Sequence, residues 1–131
     1  MQRTASRTST LRIGTAGWSL PAAVRNDFPP GDSLLERYAH VFDAVEINSS
    51  FYRPHQIKTY ARWAASTPAD FRFAVKMPRE ITHERRLVNV DAILGGFLSE
   101  AAGLGDKLGA VLVQLAPSLT FDPGVAATFF A

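Results

Sequence analysis

Cysteine is absent from the 131 residues, which removes disulfides, thiolate chemistry and cysteine metal ligation. No run reaches the ~18 apolar residues needed for a membrane span. The opening "MQRTASRTST" also lacks the apolar stretch of a secretion signal. A cytoplasmic protein without membrane contact is therefore expected. An excess of one charge is missing too: 14 lysines and arginines face 12 acidic residues, leaving +2. That is too little to imply nucleic acid by itself.

What is present fits one globular domain with a core, since 47% of residues are hydrophobic and 20% charged. Residues 1–10 are small, polar and basic without periodicity, and a flexible basic tail is expected there. Residues 11–131 are expected to form the domain.

Along that domain the pattern alternates. "LRIGTAGWS" reads as a short strand that breaks at Gly14 and Gly17, followed by the Pro- and Gly-rich "LPAAVRNDFPPGD" with at most one helical turn. "SLLERYAHVF" carries a capping box, with Ser33 as cap and Glu36 answering it. "AVEINS" is a second strand. "QIKTYARWAAS" is a second helix, with Ile57, Tyr60, Ala61 and Ala64 on one face.

"FRFAVKMP" is a third strand, and "REITHERRLVN" has no period and reads as a long loop. "VDAILGGFLSEAAG" is helical in spacing, although Gly95 and Gly96 weaken it. "GAVLVQLAP" is a fourth strand, and "FDPGVAATFFA" starts a helix with Asp122 as cap and Pro123 in its first turn. Strands are expected near residues 11–15, 44–48, 72–76 and 110–115. Strand–helix alternation predicts a parallel sheet, because parallel neighbours need long crossovers.

Side chains alternate along a strand, so Val45 and Ile47 share one face, and Glu46 and Asn48 the other. Phe73 and Val75 likewise oppose Arg72, Ala74 and Lys76. A doubly wound sheet is covered on both faces and reads as nearly continuous apolar strands. Here one face turns polar toward each carboxyl end, which suits a barrel whose upper interior opens to a ligand. Glu46, Asn48, Lys76 and Gln114 are then expected near the C-terminal rim. A lone buried carboxylate is costly, and Lys76 is the expected counter-ion for Glu46. A structural Glu46–Lys76 pair and a ligand-binding or catalytic cluster are both open readings.

The stretches "IGTAGWS", "VEINSSFYRP", "FRFAVKMPREITHERRL" and "LGDKLGAVLVQLAPSL" together resemble the YecE-like family, also called DUF72, over roughly residues 11–125. The resemblance implies a fold similar to a TIM barrel, of which this chain would hold about four βα units of a (β/α)8 ring. It carries over Gly14 and Trp18 after the first strand, then Glu46, Asn48 and Tyr52 after the second. Lys76 and His83 follow the third strand, and Gln114 lies on the fourth. Leu20 stands where an aromatic often follows "GWS".

The expected site thus comprises Glu46, Lys76 and His83 as catalytic candidates. Gly14, Trp18, Asn48, Tyr52 and Gln114 are the ligand-binding candidates. "GTAG" lacks the downstream glycine of a dinucleotide fingerprint. Glu46 with His55 and His83 could form a facial metal triad, but the histidines lack close metal-ligand spacing, and neither a metal nor a cofactor is indicated. His83 or Glu46 could handle protons beside a small polar or phosphorylated substrate. Arg53, Arg79, Arg85 and Arg86 could attract a phosphate or simply form a solvated loop. A nonenzymatic nucleic-acid module, and a truncated structural fragment, stay open as alternatives. Open sheet edges would favour self-association.

Overall fold

The computed structural model describes residues 11–131; the basic segment 1–10 lies outside the described residues. Four parallel strands, β1 (Gly14–Ala16), β2 (Ala44–Ile47), β3 (Arg72–Lys76) and β4 (Leu108–Leu112), form one sheet. They lie in chain order, β1-β2-β3-β4. This is the sequential arrangement of a TIM-barrel wall and not the reversed order of a doubly wound sheet.

Helices α1 (Ala22–Arg25), α2 (Leu34–Ala39), α3 (Ile57–Ala65), α4 (Asp91–Ala101) and α5 (Pro123–Phe129) occupy the connections and the segment beyond β4. Ser33 caps α2 by accepting the Glu36 N–H at 3.1 Å. Glu36 answers one residue earlier than a capping box requires, accepting the Asp32 N–H at 2.7 Å. Asp122 caps α5 through the Gly124 and Val125 N–H groups, with Pro123 in the first turn as expected.

One sheet face carries the core. Val45, Ile47, Phe73 and Val75 are buried together with Leu35 and Tyr38 of α2, Tyr60 of α3, and Phe97 and Ala101 of α4. The alternation read from the strands is therefore the observed one. Burying each of the Val, Ile, Leu and Phe side chains fully stabilises by roughly 1.5–3 kcal/mol.

Several boundaries and faces differ from the sequence expectations. The first strand occupies Gly14–Ala16, later than 11–15, because β2 begins at Ala44 and its ladder pairs Gly14 with Ala44. The fourth ends at Leu112, not 115, so Gln114 sits two residues beyond it and is exposed. On α3 the packed residues are Tyr60, Trp63 and Ala64, while Ile57 and Ala61 are exposed. Leu98 of α4 is also exposed. The expected loop after β3 instead contains a π-helical turn, Glu80–Glu84, whose Ile81 and Thr82 are buried. Arg86, Leu87 and Asn89 then adopt left-handed backbone angles (φ 50°, 69° and 55°).

Two buried polar groups hold β1 in place. The Asp43 carboxylate accepts the Ile13 N–H at 3.0 Å, and the Tyr38 hydroxyl accepts the Thr15 N–H at 2.8 Å. Gly14 is required there by close approach: a Cβ would lie 1.9 Å from the Ala44 carbonyl oxygen.

Candidate functional site

Opposite the core, the sheet's other face lines an open concavity of about 570 Å³. Parallel register explains its shape. Ala16 pairs with Glu46, Glu46 with Ala74, and Ala74 with Ala110. Residues in register on parallel strands project to the same face, so one row reads Ala, Glu, Ala, Ala. The carboxylate of Glu46 stands among methyl groups. It has no hydrogen bond or ion pair among the described residues. Gly14, Thr15 and Arg72 line the same concavity. Two of the eight residues expected at the site, Gly14 and Glu46, are thus brought together here.

Lys76 does not pair with Glu46. It lies two residues further along β3 than Ala74, the register partner of Glu46, which leaves the two side chains on a diagonal and not directly opposite. Its ammonium instead sits 4.3 Å above the centroid of the Phe51 ring, a cation–π contact. The ion-pair reading is corrected accordingly.

Phe51 belongs to the 3₁₀ turn Ser49–Phe51 that follows β2, and it gathers several of the remaining expected residues. The His83 ring meets it edge-on at 4.9 Å, and Tyr52 at 5.0 Å. The Thr82 hydroxyl lies 2.7 Å from His83 Nδ1. The turn is anchored by Ser50, whose buried hydroxyl reaches both the Ile47 carbonyl at 3.0 Å and the Lys76 carbonyl at 2.6 Å. Lys76, His83 and Tyr52 are therefore grouped on Phe51, apart from the Glu46 row. Asn48 is half-buried immediately before the turn.

The other expected residues lie elsewhere. Trp18 packs edge-on against Trp63 of α3 at 5.1 Å. His55 bonds to the Ser49 hydroxyl through Nε2 at 2.8 Å and stacks edge-on with Tyr60 and Trp63. Burial, and then the Arg53 charge, hold the His55 pKa below its ordinary value. This packing separates His55 from Glu46, so the facial triad does not form. Among the described residues no three His, Asp or Glu side chains cluster as metal ligands do.

A second cavity, of about 330 Å³, lies between the segments after β2 and β3 and the face of α4. Tyr52, Arg53, Tyr60, Phe97 and Glu100 contribute to it. Sequence reasoning placed Tyr60 in the core and gave Glu100 no role. The helix period marks Tyr60 as inward on α3 but did not mark Glu100 on α4, and it does not show that two helices leave a gap between them.

Comparison with known proteins follows this geometry. The family model described as "Protein of unknown function DUF72" matches residues 12–129. The chain belongs to the DUF72 family. It is 35% identical over 113 residues to the UPF0759 protein YecE of Escherichia coli K12, covering 86% of this chain and 39% of YecE. It is 28% identical over 113 residues to YunF of Bacillus subtilis, covering 82% of this chain and 40% of YunF. A DUF72 protein from Enterococcus faecalis superposes with a TM-score of 0.74 at 24% identity, over 91% of this chain and 44% of that one. The chain therefore spans about two-fifths of the length of these curated relatives. Its fold is a partial, TIM-barrel-like α/β sheet. Among the described residues no helix is long and apolar enough to cross a membrane.

Proposed function

We propose that the concave sheet face is one wall of a binding or catalytic site for a small polar ligand, with Glu46 as its principal polar group. The observation that carries this reading is the Glu46 carboxylate, unpaired among the described residues, between Ala16 and Ala74. A carboxylate held in a partly apolar setting is stabilised by a ligand that donates hydrogen bonds or a proton to it. TIM barrels build their sites toward the C-terminal strand ends, and Glu46 is the penultimate residue of β2. Proton transfer by Glu46 is the reaction step proposed, in a cytoplasmic protein.

A phosphorylated ligand draws less support. Arg79 is paired with Glu84 at 3.5 Å and Arg85 with Glu80 at 3.6 Å, so much of the loop's positive charge is already balanced. The same pairs argue against a nucleic-acid surface, which needs continuous basic charge.

The opposite wall is proposed to come from a second copy of this chain. Exposed apolar side chains flank both ends of the sheet: Leu11 and Ile13 before β1, and Leu115, Phe121 and Phe130 beyond β4. Among the described residues β1 and β4 each have one neighbour in the sheet, which leaves edges able to pair. Sedimentation velocity at micromolar concentration should show a dimer or larger species; a monomer throughout would reject this arrangement.

The test of the site is a small-molecule screen by thermal shift, followed by titration of each hit against Glu46→Gln. Loss of roughly tenfold or more in affinity is expected, with the folded population maintained. Equal affinity in the variant for every hit would overturn the reading.

A further inference from the structure

The concave face carries charge of both signs, and the strand register keeps the two apart. Arg72 shares the inner face with Ala74, two residues further on. It pairs in register with Ala44, which in turn pairs with Gly14. One row therefore reads Gly, Ala, Arg, and the next Ala, Glu, Ala, Ala. In each row a single charged side chain stands among residues too small to fill the space around it. At ~3.3 Å per residue along a parallel strand, the two rows lie about 6.6 Å apart. Arg72 and Glu46 both line the concavity of about 570 Å³, and both are only partly buried. Among the described residues they form no ion pair with each other.

A second guanidinium joins Arg72 at its end of the face. Arg12 also lines the concavity and donates to the Asp70 carbonyl, while Arg72 donates to the Ala69 and Phe71 carbonyls, both at 2.9 Å. Three consecutive carbonyls thus gather two guanidinium groups at one place. Each uses one terminal nitrogen, Nη1, for these bonds, so Nε and Nη2 keep their donors. Neither guanidinium is in an ion pair among the described residues, and an oxyanion is the group that matches such a fork. The positive charge here is partly offset. Burial, and then the Arg72 charge, lower the Lys107 pKa, while Asp70 opposes them, which puts one carboxylate beside the cations. A monoanion suits that balance better than a dianion such as a phosphate monoester.

We infer that the concavity takes a hydroxylated carboxylate of the sugar-acid class, with its carboxylate on Arg12 and Arg72 and a hydroxyl further along its chain on Glu46. This rests on the reading of the concave face as a binding site and names the ligand of that site. A hydroxyl fits Glu46 as a proton-transfer group, whereas an ammonium would engage the carboxylate as an ion pair instead. The row spacing of about 6.6 Å matches a chain of about six carbons and exceeds the reach of a short α-hydroxy acid. A volume of about 570 Å³ lies within the ~300–1,000 Å³ range of ligand pockets.

The test is calorimetric titration of the intact chain with gluconate and three analogues. Sorbitol has the hydroxyls without the carboxylate, hexanoate has the carboxylate without the hydroxyls, and sorbitol 6-phosphate carries a dianion in place of the carboxylate. Gluconate should bind at millimolar concentration, and each analogue at least about tenfold more weakly. Arg72→Gln and Arg12→Gln should each bind gluconate no better than the parent binds sorbitol. Arg72 also holds the Ala69 and Phe71 carbonyls, so the unfolding midpoint is measured for both variants, and Arg12→Gln decides the matter if Arg72→Gln unfolds. Glu46→Gln should weaken gluconate and leave hexanoate unchanged. The inference is overturned by absence of gluconate binding, by equal affinity for gluconate and sorbitol, by tighter binding of the phosphate, or by unchanged gluconate affinity in the folded arginine variants. Ligands from the wider screen that depend on Glu46 but on neither arginine would also overturn it, while leaving the concave-face reading in place.

Discussion

Tyr38 of α2 donates its hydroxyl to the Ala44 carbonyl of β2 at 2.8 Å while accepting the Thr15 N–H of β1 at 2.8 Å. One side chain from a helix thus bridges two parallel strands at their start. β1 is only three residues long, so its ladder is short and this bridge forms a large share of its attachment. Burial raises the Tyr38 pKa, with Asp43 adding and the Thr15 bonds opposing, which keeps the hydroxyl protonated and able to donate.

Tyr38→Phe should therefore destabilise the fold by about 1–3 kcal/mol, because the Thr15 N–H and Ala44 carbonyl lose their partner inside the protein. Urea unfolding measures it. Hydrogen exchange should show the Thr15 amide losing protection before the β2–β3 ladder does. A change below about 0.5 kcal/mol would show that the strand is held by its ladder alone.

Glu46→Gln should have the opposite energetic character. The carboxylate has no counter-ion to lose among the described residues, and its register neighbours Ala16 and Ala74 are small enough to accept an amide of the same shape. Stability is expected to change by less than about 1 kcal/mol, in contrast to the ~3–5 kcal/mol cost of breaking a buried ion pair. A large loss in chemical unfolding would mean that Glu46 is structural, and would weaken the proposed ligand role with it.

How far the site was legible follows from these two residues. Alternation along β2 and β3 is a local property with period two, so the sequence alone was enough to assign Val45, Ile47, Phe73 and Val75 to the core and Glu46 to the opposite face. Cross-strand partnership is not local. It depends on where each strand starts, and the β2–β3 register that sets Glu46 opposite Ala74 and not Lys76 has no signature in "FRFAVK". That is why Lys76 looked like the counter-ion of Glu46 yet rests on Phe51. The gap under Tyr60 was hidden for a similar reason: helical spacing shows which residues face inward, not whether the facing elements meet.

Stability should fall as the pH drops below about 6.5, the ordinary histidine value. The folded-state pKa of His55 is lowered by burial and by Arg53, so between the two values the unfolded chain binds a proton that the folded chain refuses. Stability is then fully present above the unfolded pKa and is lost as pH falls through the folded one. Unfolding free energies at pH 7.5 and 5.5 should differ less in His55→Gln than in the parent. An identical pH slope in both proteins would remove His55 as the source.

Two glycines should respond to alanine in opposite directions. At Gly14 a Cβ meets the Ala44 carbonyl at 1.9 Å and the Tyr38 hydroxyl at 3.0 Å. Both neighbours are fixed, one as backbone and the other by its two strand contacts, so neither can retreat without opening the β1–β2 ladder. At Gly95, inside α4, a Cβ would meet nothing within 4 Å. There alanine gains about 0.5–1 kcal/mol through its better helix propensity and the smaller freedom of the unfolded chain. Gly14→Ala should accordingly unfold at lower urea concentration than the parent, losing about 1–3 kcal/mol or more in the manner of overpacked sites, and Gly95→Ala at higher. If Gly14→Ala proved as stable as the parent, the close approach of β1 and β2 would be wrong, and with it the register that sets Ala16 beside Glu46.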